Sequence, residues 1–288
     1  MDSRRASATA LGTALMRAAH TRHGLPLLLA DPWGDRLVLD RERDALRTRS
    51  GHSDLDAALR AHPSFGTVIL RARYAEDALA EAVRRGVAQY VIVGAGLDSF
   101  ALRRPPFARE LEIFEIDHPS TQQLKTQRLA ACGHWPLPRV QLIAADLSEV
   151  GLDAVLAGTA FSGDAPAFFS WLGVTAYLTR EANLATLRAI ASCAPASELV
   201  FSYIDKRLLD ADGGHDGLQR AREQVASVGE PWVSGFDPDG LAADLRGTGL
   251  ELMHDLGPAE LAERYCAGRD DGLQPSVGAH VAHARVVA

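Results

Sequence analysis

The sequence predicts an α/β fold, a largely parallel sheet with helices packed on both faces. Three observations carry the prediction. Short, nearly continuous apolar runs recur at 90–93, 111–116, 140–144, 167–172 and 199–204, helical or loop segments separate them, and the first run ends in the glycine turn Gly94-Ala95-Gly96. Strands covered on both faces lose polar/apolar alternation and read as continuous apolar runs, and their alternation with helices marks a parallel sheet.

Taken in order, the stretch up to about residue 72 is helical and irregular, with breakers at Gly24, Pro26, Pro32, Gly34 and Pro63, and reads as an N-terminal helical cap. From Tyr74 a run of strong helix formers carries acids early (Glu76, Asp77), Arg84 and Arg85 late, and Gly86 as a stop, which matches the helix dipole and the C-terminal glycine preference. Residues 73–205 are expected to form the core and 206–248, which include Gly213-Gly214-His215, a lid-like insertion after the fifth strand. The segment 249–288 holds two last strands near 250–255 and 280–287.

The chain has 288 residues, 47% of them hydrophobic, enough for one domain with additions. A net charge of −7 without a basic cluster argues against a phosphate-backbone partner such as nucleic acid. Cys132, Cys193 and Cys266 are too few and too scattered for a disulfide framework and fit a reducing, cytoplasmic setting. Arg4-Arg5 precede an Ala-rich helical stretch, and the apolar run 25–30 is too short for a signal segment or a membrane span.

The chemistry concentrates at strand ends. Glycines in Gly94-Ala95-Gly96 let backbone approach a ligand closely, although a G-x-G alone can be a mere tight turn. Asp117 ends the next strand about 20 residues on, the spacing at which a carboxylate reaches the ribose of a nucleotide lying across the first two strands. Its competing role is to cap the helix after Pro119. Where a dinucleotide motif has its third glycine this chain has Ser99, and Asp98 places a negative charge where a pyrophosphate would sit. A sulfonium cofactor tolerates that charge, which points to S-adenosylmethionine over NAD. Asp146, at the third strand's end, suits an adenine amino group, or caps a short helix.

Five segments together, Arg71-Ala72-Arg73-Tyr74-Ala75-Glu76-Asp77, Gly94-Ala95-Gly96-Leu97-Asp98-Ser99, Phe114-Glu115-Ile116-Asp117-His118-Pro119, Asp146-Leu147 and Ser170-Trp171-Leu172-Gly173-Val174-Thr175-Ala176-Tyr177-Leu178, resemble the leucine carboxyl methyltransferase family. The likeness is strongest to its bacterial branch, with polyketide-tailoring O-methyltransferases of the tetracenomycin carboxyl methyltransferase kind. The resemblance implies a Rossmann-like class I methyltransferase sheet and an S-adenosylmethionine site. In that site Arg73 pairs with the methionine carboxylate, Gly94, Ala95 and Gly96 pass beneath it, Asp117 and His118 serve the ribose end, Asp146 and Leu147 frame the adenine, and Trp171 contributes from the fourth strand. It also implies a small-molecule acceptor methylated on a carboxylate or phenolic oxygen. Leu172 stands where many relatives have glutamate.

Trp171, Tyr177 and Tyr203 lie near strand ends and are candidate walls of an aromatic substrate pocket, with Asp205 beside them, although core packing competes for each. No general base is assigned; His215 has the residue type for one but sits in a glycine-rich loop. His20 and His23 share helical spacing without an acidic or cysteine partner, and His280 and His283 fall on opposite faces of a strand, so no metal site is expected. A nicotinamide-dependent oxidoreductase and a non-catalytic ligand-binding protein are the competing functions.

Overall fold

The computed structural model describes residues 8–210 and 216–287. Four helices open the chain, α1 (Ala8–His23), α2 (Gly34–Leu37), α3 (Asp40–Ser50) and α4 (Leu55–Arg60), followed by the 20-residue α5 (Phe65–Arg84). Strands and helices then alternate: β1 (Gln89–Val93), α6 (Phe100–Arg103), β2 (Glu112–Asp117), α7 (Pro119–Ala131), β3 (Val140–Ala144), α8 (Leu152–Ala157), β4 (Ala167–Trp171), α9 (Arg180–Ala191) and β5 (Glu198–Ile204). The insertion carries α10 (Lys206–Asp210) and α11 (Asp216–Ser227). After it come α12 (Leu241–Thr248), β6 (Leu250–Leu256), α13 (Pro258–Tyr265) and β7 (Ala279–Val286).

The seven strands form one sheet in the order β3-β2-β1-β4-β5-β7-β6. Strands β1 to β5 run parallel, and β7 enters antiparallel between β5 and β6. The sheet therefore has the Rossmann-like arrangement expected, with an antiparallel edge added. The chain order reverses between β1 and β4, and the crevice outside the strand C-termini at such a switch point is where ligands bind in open α/β sheets.

Alternation along β1 shows how the sheet is sandwiched. Tyr90 and Ile92 pack with α1 and α5, while Val91 and Val93 join Phe169, Trp171 and Leu187 on the opposite face. Helix α5 begins at Phe65 rather than near Tyr74, so residue 72 lies inside a continuous helix. The β-branched Thr67, Val68 and Ile69 are weak helix formers, but all three are buried, and burial of an apolar face outweighs a few tenths of a kcal/mol of propensity.

Among the described residues no helix is long and apolar enough to cross a membrane. The three cysteines are free.

Candidate active site

At the C-terminal ends of β1 to β5 lies a cavity of about 1160 Å³, bordered also by α1, α3, α4, the start of α5 and the insertion. Its floor is the glycine turn. Gly94 and Gly96 have φ of 71° and 52°, and a Cβ on Gly94 would stand 2.2 Å from Val174 Cγ2, so both conformation and contact require glycine there. The turn is fixed to β2: Gly94 N and Ala95 N donate to Ile116 O at 2.8 and 3.0 Å. Gly96 N donates to Asp117 Oδ2 at 2.5 Å, and His118 N to Asp117 Oδ1 at 2.6 Å. Burial raises the Asp117 pKa, and the two amides oppose that rise. The helix after Pro119 is capped by His118, whose ring nitrogen accepts from Ser120 N, so Asp117 is released from the capping role.

Asp146 reaches the cavity from the loop after β3. One of its oxygens accepts from Ser148 N (2.9 Å) and Ser148 Oγ (2.6 Å), and the other lies 3.7 Å from His118 Nε2. Its local turn and its place on the wall thus coexist. Gly94, Ala95, Gly96, Asp117, His118, Asp146, Leu147 and Tyr177 all border this one cavity, although the chain separates them widely. Leu172 borders it too, so the position of the relatives' glutamate faces the same space with an apolar side chain.

Three expected residues sit elsewhere. Arg73 does not border the cavity. Its guanidinium donates to Asp77 at 2.5 and 3.2 Å and to Leu28 O at 3.1 Å on a partly exposed side of α5. Trp171 is fully buried among Phe201 and its neighbours, because residues 167, 169 and 171 of β4 point to the face away from α5. Asp205 is held by Arg207 at 2.9 Å and lies off the cavity. Tyr203 reaches the cavity edge only at the end of β5. Its hydroxyl donates to Asp255 Oδ2 at 2.6 Å and its ring stacks on His280, 4.9 Å between centroids.

The arginine on the cavity wall is Arg71. It borders the cavity, and among the described residues its guanidinium has neither an ion pair nor a hydrogen-bond partner. Burial pushes its pKa down to about 10, with Tyr177 opposing and the charge of Arg17 adding to the effect, so it remains a cation at neutral pH. Gly173, at φ 75°, makes room for it, since a Cβ there would lie 2.4 Å from its terminal nitrogen. Helical periodicity separates the two arginines: Val68, Arg71, Ala75, Ala78 and Ala82 follow one another at three- and four-residue steps on the inward stripe, and Arg73 falls off it. Arg17 pins α1 to the glycine turn, donating to Asp31 Oδ2 at 2.7 Å and to Leu97 O at 2.8 Å.

His215 lies outside the described residues. His20 is buried, accepts from Leu28 N at 3.2 Å, and has its pKa pushed down to about 4 by burial. His23 pairs with Asp56, and His283 with Glu198 and Tyr74. Among the described residues no three histidine, cysteine or acidic side chains are grouped to hold a metal.

The family profile described as leucine carboxyl methyltransferase matches residues 10–191, which include the glycine turn, Arg71, Asp117, Asp146 and Tyr177. This chain belongs to the leucine carboxyl methyltransferase family. A Bacillus subtilis relative, "Putative S-adenosyl-L-methionine-dependent methyltransferase YktD", is 30% identical over 302 residues covering 99% of each chain. A Mycolicibacterium smegmatis relative of the same description is 32% identical over 210 residues, 72% of this chain and 70% of its own. Among solved structures, "a putative methyltransferase" from Thermobifida fusca has a TM-score of 0.60 at 15% identity, covering 95% of both chains. A "duf574 family protein" from Streptomyces avermitilis has 0.57 at 15%, covering 86% of this chain and 90% of its own. At such identities the likeness concerns the fold.

The protein is thus an S-adenosylmethionine-dependent methyltransferase, and the nicotinamide oxidoreductase is set aside. The residues present suit that cofactor. A half-buried arginine without an ion pair matches a carboxylate, and a glycine floor admits close backbone approach.

Proposed function

We propose that this methyltransferase methylates an oxygen, carboxylate or hydroxyl, of a small molecule in natural-product tailoring, in a cytoplasmic setting. The observation that carries the reading is the unpaired Arg71 on the same cavity wall as the glycine turn and Asp117. In this reading Arg71 grips the methionine carboxylate, Gly94 to Gly96 run beneath it, Asp117 bonds the ribose, and Asp146 with Leu147 frames the adenine. Small-molecule pockets usually measure about 300–1,000 Å³, so the volume here leaves room for cofactor and acceptor together.

When bound, the sulfonium supplies an electrophilic methyl group. The chain's task is then to align the acceptor and exclude water, and orientation of this kind contributes about 7–11 kcal/mol in favourable cases. Residues from Arg220 to Val233 of the insertion border the cavity and serve as its lid.

Isothermal titration should show micromolar binding of S-adenosylmethionine and S-adenosylhomocysteine and no heat from NAD. Transfer of a labelled methyl group across carboxylic acids, phenols, amines and thiols then tests the acceptor atom. Methylation confined to nitrogen or sulfur overturns the oxygen assignment. Asp117→Ala is expected to weaken S-adenosylhomocysteine by about 1.5–3 kcal/mol, the range for hydrogen bonds involving a charged group. An unchanged affinity in a folded variant removes Asp117 from the ribose.

A further inference from the structure

His62 lies in the turn between α4 and α5 and borders the cavity. Its backbone is braced on both sides: His62 N donates to Leu59 O at 3.2 Å, and Phe65 N donates to His62 O at 2.9 Å. Ser276 Oγ donates to Pro63 O at 2.6 Å, and a Cβ on Gly66 would stand 1.7 Å from Gln274 O, so the 274–276 segment packs the turn in place. The ring is fixed as well, because Ser64 N donates to His62 Nδ1 at 3.1 Å.

Helix capping explains one ring nitrogen. The Ser64 side chain makes no cap bond to α5, and the His62 ring takes the Ser64 amide instead. A backbone N–H can only donate, and a neutral imidazole has one accepting nitrogen, so the hydrogen sits on Nε2. Burial lowers the His62 pKa, with Gln224 opposing, which keeps the ring neutral. Its single lone pair is committed to Ser64, so the ring is no base and offers a ligand one function, donation from Nε2. Gln224, the polar side chain acting on the ring, is exposed on α11, so yielding its place strands no buried group.

The surroundings define what this donor meets. Met16, Leu55, Leu59 and Val225, from α1, α4 and α11, give the same cavity an apolar lining. Among the described residues, none that α3, α4 or α11 contributes to the cavity is acidic, and the charged ones there, Arg49 and Arg220, are exposed donors. A hydroxyl held here needs a partner for its own proton, whereas a carbonyl oxygen needs only a donor. Arg71, assigned above to the methionine carboxylate, lies two turns along α5 from Phe65, about 9 Å by helical rise, so His62 serves a different ligand group. We propose that His62 is a specificity-determining residue that donates from Nε2 to a carbonyl oxygen of the methyl acceptor, and that the acceptor is an apolar aryl ketone methylated on a separate oxygen. The inference rests on the methyltransferase reading of the cavity.

4-Hydroxybenzophenone and 4-benzylphenol share a skeleton and differ by one carbonyl oxygen, and tyramine carries an ammonium instead. With the protein saturated in S-adenosylhomocysteine, calorimetric titration is expected to show the native chain binding the ketone about tenfold tighter than the methylene compound, the scale of one hydrogen bond, and tyramine not at all. His62→Asn separates the two roles of the ring, since its amide oxygen still accepts from Ser64 N while the side chain ends short of Nε2. It should keep its melting temperature and its affinity for S-adenosylhomocysteine, and bind the two phenols alike. His62→Gln, whose amide nitrogen approaches the place of Nε2, should recover part of the preference. The native comparison of the two phenols needs no variant and carries the test if the substitutions disturb the turn. Equal binding of the phenols by the native chain, a preference that persists in folded His62→Asn, tight binding of tyramine, or no binding of the ketone overturns the role of His62 while leaving the methyltransferase reading intact. Failure of S-adenosylhomocysteine to bind overturns both.

Discussion

Replacing Arg71 with methionine is expected to weaken S-adenosylmethionine and S-adenosylhomocysteine binding by about 1.5–3 kcal/mol, the cost of losing hydrogen bonds to a charged group. That is about ten- to a hundredfold or more in Kd. An analogue without the methionine carboxylate should lose little. The same substitution is expected to raise, not lower, the melting temperature of the ligand-free protein. A guanidinium that is desolvated without a counter-ion opposes folding, and an apolar side chain of similar length fills its space without that cost. Arg73→Met supplies the contrast. It removes a partly exposed tie to Asp77, worth about 0–1 kcal/mol, and should leave cofactor affinity where it was. Calorimetric titration and thermal unfolding of both variants check the pair. Equal affinity losses at the two positions, or a destabilised ligand-free Arg71→Met, would return the carboxylate to another residue.

The placement of Arg71 rather than Arg73 on the cavity wall illustrates what local pattern can carry. The central strands were legible because a doubly covered strand is an uninterrupted apolar run: the expected 167–172 differs from β4, buried throughout, by one residue, and the expected 140–144 coincides with the half-buried edge strand β3. The glycine turn and Asp117 were legible because their spacing is a property of one strand–helix–strand unit. Which arginine of Arg71-Ala72-Arg73 faces the cavity depends on the phase of a helix that starts at Phe65, and that phase is lost when the helix is begun at Tyr74. Trp171 follows the same logic in a strand, where one position decides between the cavity end and the core. Two features had no local signal. The antiparallel β7 between β5 and β6 is a pairing of distant segments, and Glu230 meets Thr9 across most of the chain. Asp205 lies off the cavity and is paired with Arg207, two residues on.

Lys125→Met is expected to destabilise the fold by about 3–5 kcal/mol at neutral pH, the cost of stranding a buried charge. Lys125 of α7 pairs with Glu115 of β2, the two side chains being 1% and 0% exposed. The other Glu115 oxygen is buried without a partner. Burial raises the Glu115 pKa, and Lys125 is what opposes that rise. Without Lys125 the folded-state pKa climbs further above the unfolded value, so protonation favours the folded state. The deficit should therefore shrink on acidification and be largest where Glu115 must stay ionised. Urea unfolding from neutral to mildly acidic pH reads this directly. A deficit independent of pH would assign the loss to the lysine's alkyl packing instead, and Lys125→Met combined with Glu115→Leu should recover most of it. The pair also bears on the cofactor, since Glu115 and Asp117 lie on the same face of β2 and Lys125 helps to hold the Asp117 pKa down. In Lys125→Met the Asp117 carboxyl gains a proton more readily, so S-adenosylhomocysteine binding should fade at a higher pH than in the native chain as the solution is acidified.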